Sequence, residues 1–186
     1  MIVLLSGMAL FIAIHLFPTQ VQARQALIDK LGRVPYLALF STISLIGFML
    51  IINGFGMASK EQLWQPLTFA RPLTHAIMPL VFILLVSAYL NTYIRAKLKH
   101  PMLIATCLWA LVHLLANGDL ASSVVFGGFF LYALADILLA KTRDTIVPKS
   151  KHPKAKFDVI AVVVGLIVYG LVLRGHQTLF GVSVIG

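Results

Sequence analysis

The most restrictive feature of the sequence is a set of long apolar stretches. One of them covers residues 120–140 and contains a single charged side chain, Asp136. A helix of about 20 apolar residues spans the roughly 30 Å hydrocarbon core of a bilayer. Charged residues make up 11% of the chain and hydrophobic residues 60%, whereas about a quarter of an average soluble domain is charged. The sequence therefore predicts an all-α, polytopic membrane helical bundle.

The apolar stretches predict six membrane spans within a single transmembrane domain, residues 1–186. The expected limits of the spans are 2–17, 36–52, 75–93, 101–116, 120–140 and 159–173. We expect Asn53 and the glycines that follow it to end the second span, and Asp158 to cap the N-terminus of the sixth. The apolar tail 179–185 is too short to cross a bilayer.

Basic residues indicate the orientation of the spans. Of the fifteen Lys and Arg residues, twelve lie in the connections after spans one, three and five. Because loops rich in Lys and Arg stay in the cytoplasm, both termini are predicted on the periplasmic side of a bacterial inner membrane. These loops and anionic headgroups account for the net charge of +9, so the expected partner is the lipid bilayer and no nucleic acid. Tyr36 and Trp64 are expected at the membrane interface, and the oligomeric state stays open.

The fourth span carries the least expected residue, His113, inside its apolar run. An ionisable ring at this depth usually faces a protein interior or a functional site. Pro101 suits the first helical position, and Gly118 is expected to end the helix in a left-handed conformation. One face of this helix is predicted to be a polar seam with the imidazole at its centre, formed by Thr106, Trp109, Ala110, His113 and Asn117.

His15, near the cytoplasmic end of the first span, is the second membrane histidine, and its expected depth differs from that of His113 by several ångströms. Two imidazoles on different helices are an ordinary way to hold haem iron, but they make a poor zinc site without a third ligand. Cys107 is the sole cysteine, which excludes an intrachain disulfide or a cysteine-based metal site. The residues alone leave an alternative open, in which His113 is hydrogen-bonded to a neighbouring helix and His15 reaches lipid headgroups.

Several short motifs are spread over nearly the whole chain. They are His15-Leu16-Phe17-Pro18-Thr19, Leu31-Gly32 with Tyr36, Lys99-His100-Pro101-Met102, Trp109-Ala110-Leu111-Val112-His113-Leu114, Ala116-Asn117-Gly118-Asp119 and Phe126-Gly127-Gly128. Together they resemble the NnrU family, which is named from bacterial denitrification and is similar to the plant 15-cis-zeta-carotene isomerases. The resemblance implies haem b with His15 and His113 as axial ligands of the iron. Ala110 departs from the plant pattern, which has a cysteine implicated in ligation there, and this weakens the implied isomerase activity.

Three classes of function follow, and for the third, a small transporter, the chain lacks the interrupted spans and paired buried charges expected of one. In the first, the protein binds haem b and carries out redox or isomerase chemistry on a lipophilic small molecule, or takes part in nitric oxide and denitrification metabolism. In the second, it is a non-catalytic accessory or assembly subunit of a respiratory or denitrification complex. No catalytic residue is assigned. The secondary candidates for the site are Trp109, Asn117, His100 and Arg24, the last two as partners of the charged haem propionates.

Overall fold

The computed structural model describes residues 1–143 and 152–184, and helices dominate both ranges. The helices are α1 (Ile2–Leu16), α2 (Val21–Leu31), α3 (Arg33–Met57), α4 (Ala70–Ser87), α5 (Tyr93–Leu98), α6 (Pro101–Ala116), α7 (Leu120–Arg143) and α8 (Ala155–Phe180). The regular structure of these ranges is helical apart from one isolated β-bridge between Gln62 and Asp119. The predicted all-α membrane bundle is confirmed.

The lengths of the helices agree with the predicted number of spans. In the described ranges, α1, α3, α4, α7 and α8 belong to segments long and apolar enough to cross a membrane. The remaining apolar helix is α6, which corresponds to the predicted fourth span. It has 16 residues, or about 24 Å of helix against a hydrocarbon core of about 30 Å. The helix that carries His113 is therefore shorter than the candidate membrane-spanning segments, which have at least 18 residues.

The six long helices follow one another side by side in the order α3, α1, α7, α6, α4 and α8. Two apolar cores reflect this arrangement. One lies between α1, α3 and α7 and includes Leu4 and Ile51, and the other lies between α4 and α6 and includes Val81 and Ala105. Since α7 packs on both α1 and α6, it joins the two halves of the molecule.

Glycines let α1 and α3 pack closely along their length. A Cβ atom on Gly7 would lie 2.7 Å from the backbone nitrogen of Ile51, and one on Gly54 would overlap the backbone of Leu4. The prediction that Asn53 and its following glycines end the second span is therefore wrong, because α3 continues to Met57. In a membrane, small residues at a helix contact allow backbones to approach, and here this contact outweighs the weak helix propensity of glycine.

The start of α8 also differs from the prediction. The helix begins at Ala155, so Asp158 lies inside its first turn rather than at its N-cap. The Asp158 carboxylate instead accepts hydrogen bonds from the backbone N–H groups of Tyr93 and Ile94, each at 3.0 Å. These N–H groups have no partner within α5 because they belong to its first turn. Asp158 thus caps a helix that is distant in the sequence and ties α5 to α8.

The end of the chain folds back onto the helices. After α8, Gly181 adopts a left-handed conformation with φ of 73°. His176 then donates a hydrogen bond from Nδ1 to the carbonyl of Val182 (2.8 Å), and His75 donates from Nε2 to the carbonyl of Val184 (3.1 Å). The helix of the sixth span therefore extends to Phe180, beyond its predicted end.

Replacing Asp158 by Ala should lower the free energy of unfolding by about 1–3 kcal/mol, because two N–H groups lose a charged acceptor. Asp158→Asn should lose less, since its single amide oxygen still accepts one bond. Thermal unfolding of the purified protein in detergent measures the change. Asp29→Ala is the matched control, because its exposed carboxylate accepts a hydrogen bond from the side chain of Gln25 and caps no helix among the described residues. Equal effects of Asp158→Ala and Asp29→Ala would contradict the capping role.

Candidate functional site

His113 lies in the last turn of α6 and is hydrogen-bonded to its own helix. Its Nδ1 lies 2.8 Å from the carbonyl oxygen of Trp109, four residues earlier. The imidazole packs against the ring of Phe126 on α7, with ring centroids 4.9 Å apart, and against the Trp109 indole at 5.6 Å. The histidine therefore faces α7 and the protein interior.

His15 has the same arrangement at the end of α1. Its Nδ1 lies 2.8 Å from the carbonyl oxygen of Phe11, again four residues earlier. The imidazole stacks on the Phe11 ring, with ring centroids 4.0 Å apart and an interplanar angle of 24°. Phe40 of α3 and Tyr132 of α7 approach it edge-on at 5.4 and 6.1 Å. The alternative in which His15 extends towards headgroups is not the arrangement found.

Both histidines therefore present the same atom for chemistry. A backbone carbonyl only accepts hydrogen bonds, so Nδ1 carries the proton in each ring, and in the neutral ring the lone pair lies on Nε2. A hydrogen bond from Nδ1 to a backbone carbonyl also fixes the orientation of the imidazole, as in many metal-ligating histidines. Both rings can act as a ligand, a hydrogen-bond acceptor or a base through Nε2.

An aromatic band separates the two imidazoles; it consists of Phe11, Phe129, Trp109 and Phe126. Phe129 of α7 is its centre, with its ring edge-on to Phe11 and to Trp109 at 5.5 Å in each case. The two histidines also differ in depth. His113 contacts Phe126 and His15 contacts Tyr132, and this offset along α7 corresponds to about 9 Å. The structure places both rings against α7 without bringing them together.

The secondary candidates fall in three different places. Trp109 lies with His113 on α6 and supplies the carbonyl that holds the ring. Asn117 is the C-cap residue of α6, and its side chain donates to the carbonyl of His113 at 2.7 Å. His100 is the N-cap residue of α6, at the opposite end of the helix from His113. Arg24 on α2 lies beside Tyr36, with its guanidinium carbon 6.0 Å from the ring centroid.

The turn between α6 and α7 is covered by residues 58–69, which we call the strap. The carbonyl of Gly118 accepts hydrogen bonds from the backbone N–H groups of Leu63 (2.7 Å) and Trp64 (3.2 Å). In return, Leu120 N–H donates to the carbonyl of Glu61 at 2.8 Å. A Cβ atom on Gly118 would overlap the carbonyl of Trp64. The predicted left-handed conformation of Gly118 is wrong, because the glycine is required here for close backbone approach.

Asp119 adds electrostatic support to this turn. Its carboxylate accepts a hydrogen bond from the Ser122 N–H at 3.0 Å, as expected for a residue that caps α7. Burial alone would raise the pKa of Asp119, but hydrogen bonds from Ser122 and the nearby charge of Lys60 hold that pKa below its ordinary value. Lys60 lies over the Phe55 ring, 3.1 Å from its centroid, and partial burial lowers its pKa against the opposing pull of Asp119.

Three important residues of this region are not identified by the sequence reasoning above. Phe11 and Phe129 line the space between the histidines, and Tyr36 is buried in the interior although it was expected at the membrane interface. The sequence does contain a pattern that marks Phe11, since an aromatic residue precedes each membrane histidine by four positions. No comparable pattern marks Phe129, whose position depends on how α7 packs between α1 and α6.

Comparison with known proteins gives one match. A family model described as NnrU protein matches residues 3–184, nearly the whole chain. Searches of curated proteins and of solved structures find no match. The motifs around His15 and His113 both lie inside the matched range.

Substitution of Gly118 by Ala should displace the strap, because the new methyl group would overlap the Trp64 carbonyl. We expect a loss of about 1–3 kcal/mol of stability, typical of overpacking at a tight contact, and faster tryptic cleavage at Lys60 in the strap. Thermal unfolding and limited proteolysis in detergent measure the two effects. Gly56→Ala is the control, since a Cβ atom there meets nothing within 4 Å; identical behaviour of the two variants would refute the close contact.

Acidification should weaken the turn through Asp119. Because folding lowers the pKa of this carboxyl, its contribution to stability is complete above the ordinary value of 3.8 and is lost as the pH falls through the lower folded value. The test compares the free energy of unfolding of wild type and Asp119→Asn between neutral pH and pH values below 3.8. The difference between the proteins should shrink on acidification, and a constant difference would disprove the linkage.

Proposed function

The chain belongs to the NnrU family of membrane proteins, and on that premise we propose that it binds haem b inside the membrane, with His15 and His113 as the axial ligands of the iron. A lipophilic small molecule is the proposed substrate class, for redox or isomerase chemistry. A role in nitric oxide or denitrification metabolism is suggested by the family name alone.

The observation that carries this proposal is that the two membrane imidazoles have the same hydrogen-bond arrangement. Each gives its Nδ1 proton to the carbonyl four residues before it in its helix and keeps Nε2 for another partner. The low polarity of the surroundings supports the same conclusion, because aromatic rings pack on both histidines. A pair of oriented imidazoles among aromatic side chains suits the face of a flat, apolar cofactor.

The donor atoms fit the group, and the other residues define what each would do. His15 and His113 would hold the iron through Nε2, while Phe11 and Trp109 fix both rings by accepting the Nδ1 hydrogen bonds and packing against them. Haem bound there would supply a redox-active iron in a site of low polarity. Phe129 lies between the two helices that carry the ligands, so ligation of one iron by both histidines requires this ring to move.

The alternative function is that of a non-catalytic accessory or assembly subunit of a respiratory or denitrification complex. The position of Phe129 favours it. Edge-on packing of this ring against Phe11 and Trp109 is ordinary core packing, and such a filled interior suits a structural role. The two functions differ in whether the purified protein carries haem.

Protein purified in mild detergent from haem-replete cells should be red, with a Soret band that shifts on reduction by dithionite. Substitution of His113 by Ala should abolish the band, and His15→Ala should abolish it or change it from a six-coordinate to a five-coordinate spectrum. The absorption spectrum and the haem content per chain are the measurements. His75→Ala is the control, because its ring holds the chain end instead.

Two results would overturn the proposal. A colourless protein that gains no Soret band after addition of hemin would favour the accessory subunit. A wild-type spectrum in both His15→Ala and His113→Ala would place the haem elsewhere. In the first case, co-purification of a respiratory or denitrification complex with the tagged protein would test the alternative directly.

A further inference from the structure

A buried tyrosine hydroxyl lacks a hydrogen-bond partner. Tyr36, near the start of α3, is 4% exposed, and its Oη atom is the buried side-chain polar atom that has no partner among the described residues. Most buried polar groups in proteins are hydrogen-bonded, because removal from water without compensation is unfavourable. An unpartnered hydroxyl is therefore a donor that a bound group can use.

The surroundings of Tyr36 restrict the nature of that group. The guanidinium carbon of Arg24 lies 6.0 Å from the Tyr36 ring centroid, and Arg24 is exposed at the surface of α2. A phenol donates a hydrogen bond and a guanidinium adds a positive charge and further donors. Together they favour an anionic oxygen ligand, and a carboxylate has a planar geometry that matches the arginine guanidinium.

The position of Tyr36 relative to His15 gives the second constraint. The Phe40 ring lies one helical turn from Tyr36 on α3 and contacts both the Tyr36 ring and the imidazole of His15, with centroid distances of 6.5 and 5.4 Å. Tyr36 thus lies beyond His15, towards α2. A porphyrin also has two such ends, since its carboxylates extend from the edge of the ring while the iron lies at its centre.

We propose that Tyr36 and Arg24 form a carboxylate-binding site for a haem propionate, with Tyr36 as the hydrogen-bond donor and Arg24 as the counter-charge. The inference rests on the proposed haem binding and deepens it by assigning one end of the cofactor to α2 and the start of α3. The inference also assigns a partner to Arg24. His100, the other residue expected to bind a propionate, lies at the N-cap of α6.

The test compares hemin with hemin dimethyl ester, in which both carboxylates are blocked. Haem-free protein in detergent is titrated with each compound, and the ratio of the two dissociation constants is the readout. Wild type should prefer hemin, and Tyr36→Phe should reduce that preference by about tenfold, the size expected for one lost hydrogen bond to a charged group. Arg24→Gln should reduce it as well. The Soret maximum should not change, because the axial ligands are intact.

A second measurement uses the haem-free protein. Since the Tyr36 hydroxyl has no partner in the part of the chain that the structure describes, Tyr36→Phe should leave the melting temperature unchanged or raise it. Tyr169→Phe is the matched control, because its hydroxyl donates to the carbonyl of His75 at 3.4 Å; it should leave the preference for hemin unchanged.

The outcomes separate this inference from the proposed function. If wild type binds neither compound, haem binding itself is wrong. If wild type binds hemin through His15 and His113 but Tyr36→Phe has the same preference as wild type, only the carboxylate site is wrong. A marked loss of stability in haem-free Tyr36→Phe would also overturn it, because the hydroxyl would then have a partner within the protein.

Discussion

An imidazole inside a membrane has no water to satisfy its N–H group, and this constraint shapes the centre of the molecule. His15 and His113 meet it in the same way, by donating Nδ1 to the carbonyl four residues earlier in the same helix. The bond fixes the rotamer, selects the tautomer and leaves Nε2 as the reactive atom. Because the acceptor residue is aromatic in both helices, the ring is also packed on one face by its own helix, and the other face is available to a neighbouring element.

The rest of the fold holds α1 and α6, the helices that carry the two histidines, in place by different contacts. On one side, Gly7 and Gly54 allow α1 to lie against α3 at backbone distance. On the other, the short helix α6 is fastened at its end by the strap, whose backbone bonds Gly118 and Leu120 directly. The motif Asn117-Gly118-Asp119 is explained by this attachment. Asn117 bonds the carbonyl of His113, Gly118 admits the strap, and Asp119 caps α7.

The sequence predicted the six long apolar helices and the membrane class well because both depend on length and apolar composition, which are local properties. It also predicted α6 to the residue, since Pro101 and Asn117 mark both ends. The errors involve contacts between distant segments. Asp158 caps α5, Gly118 meets the strap, and Tyr36 is buried in the interior, and each of these depends on a partner far along the chain. The two histidines were identified because a polar ring in an apolar helix is conspicuous without any knowledge of the fold.

The distance between the two imidazoles depends on the packing of α1 against α7, which is the least constrained of the helix contacts that connect them. Packing between α1 and α7 is much less extensive than packing of α1 on α3 or of α6 on α7, and it consists largely of side-chain contacts such as Phe11 with Phe129 and His15 with Tyr132. Rings in such contacts can change rotamer without breaking backbone hydrogen bonds, whereas moving α6 would break the bonds to the strap. In the proposed haem-bound state, an approach of the two Nε2 atoms would therefore require α1 and α3 to move as a pair, with Phe129 as the side chain that turns aside.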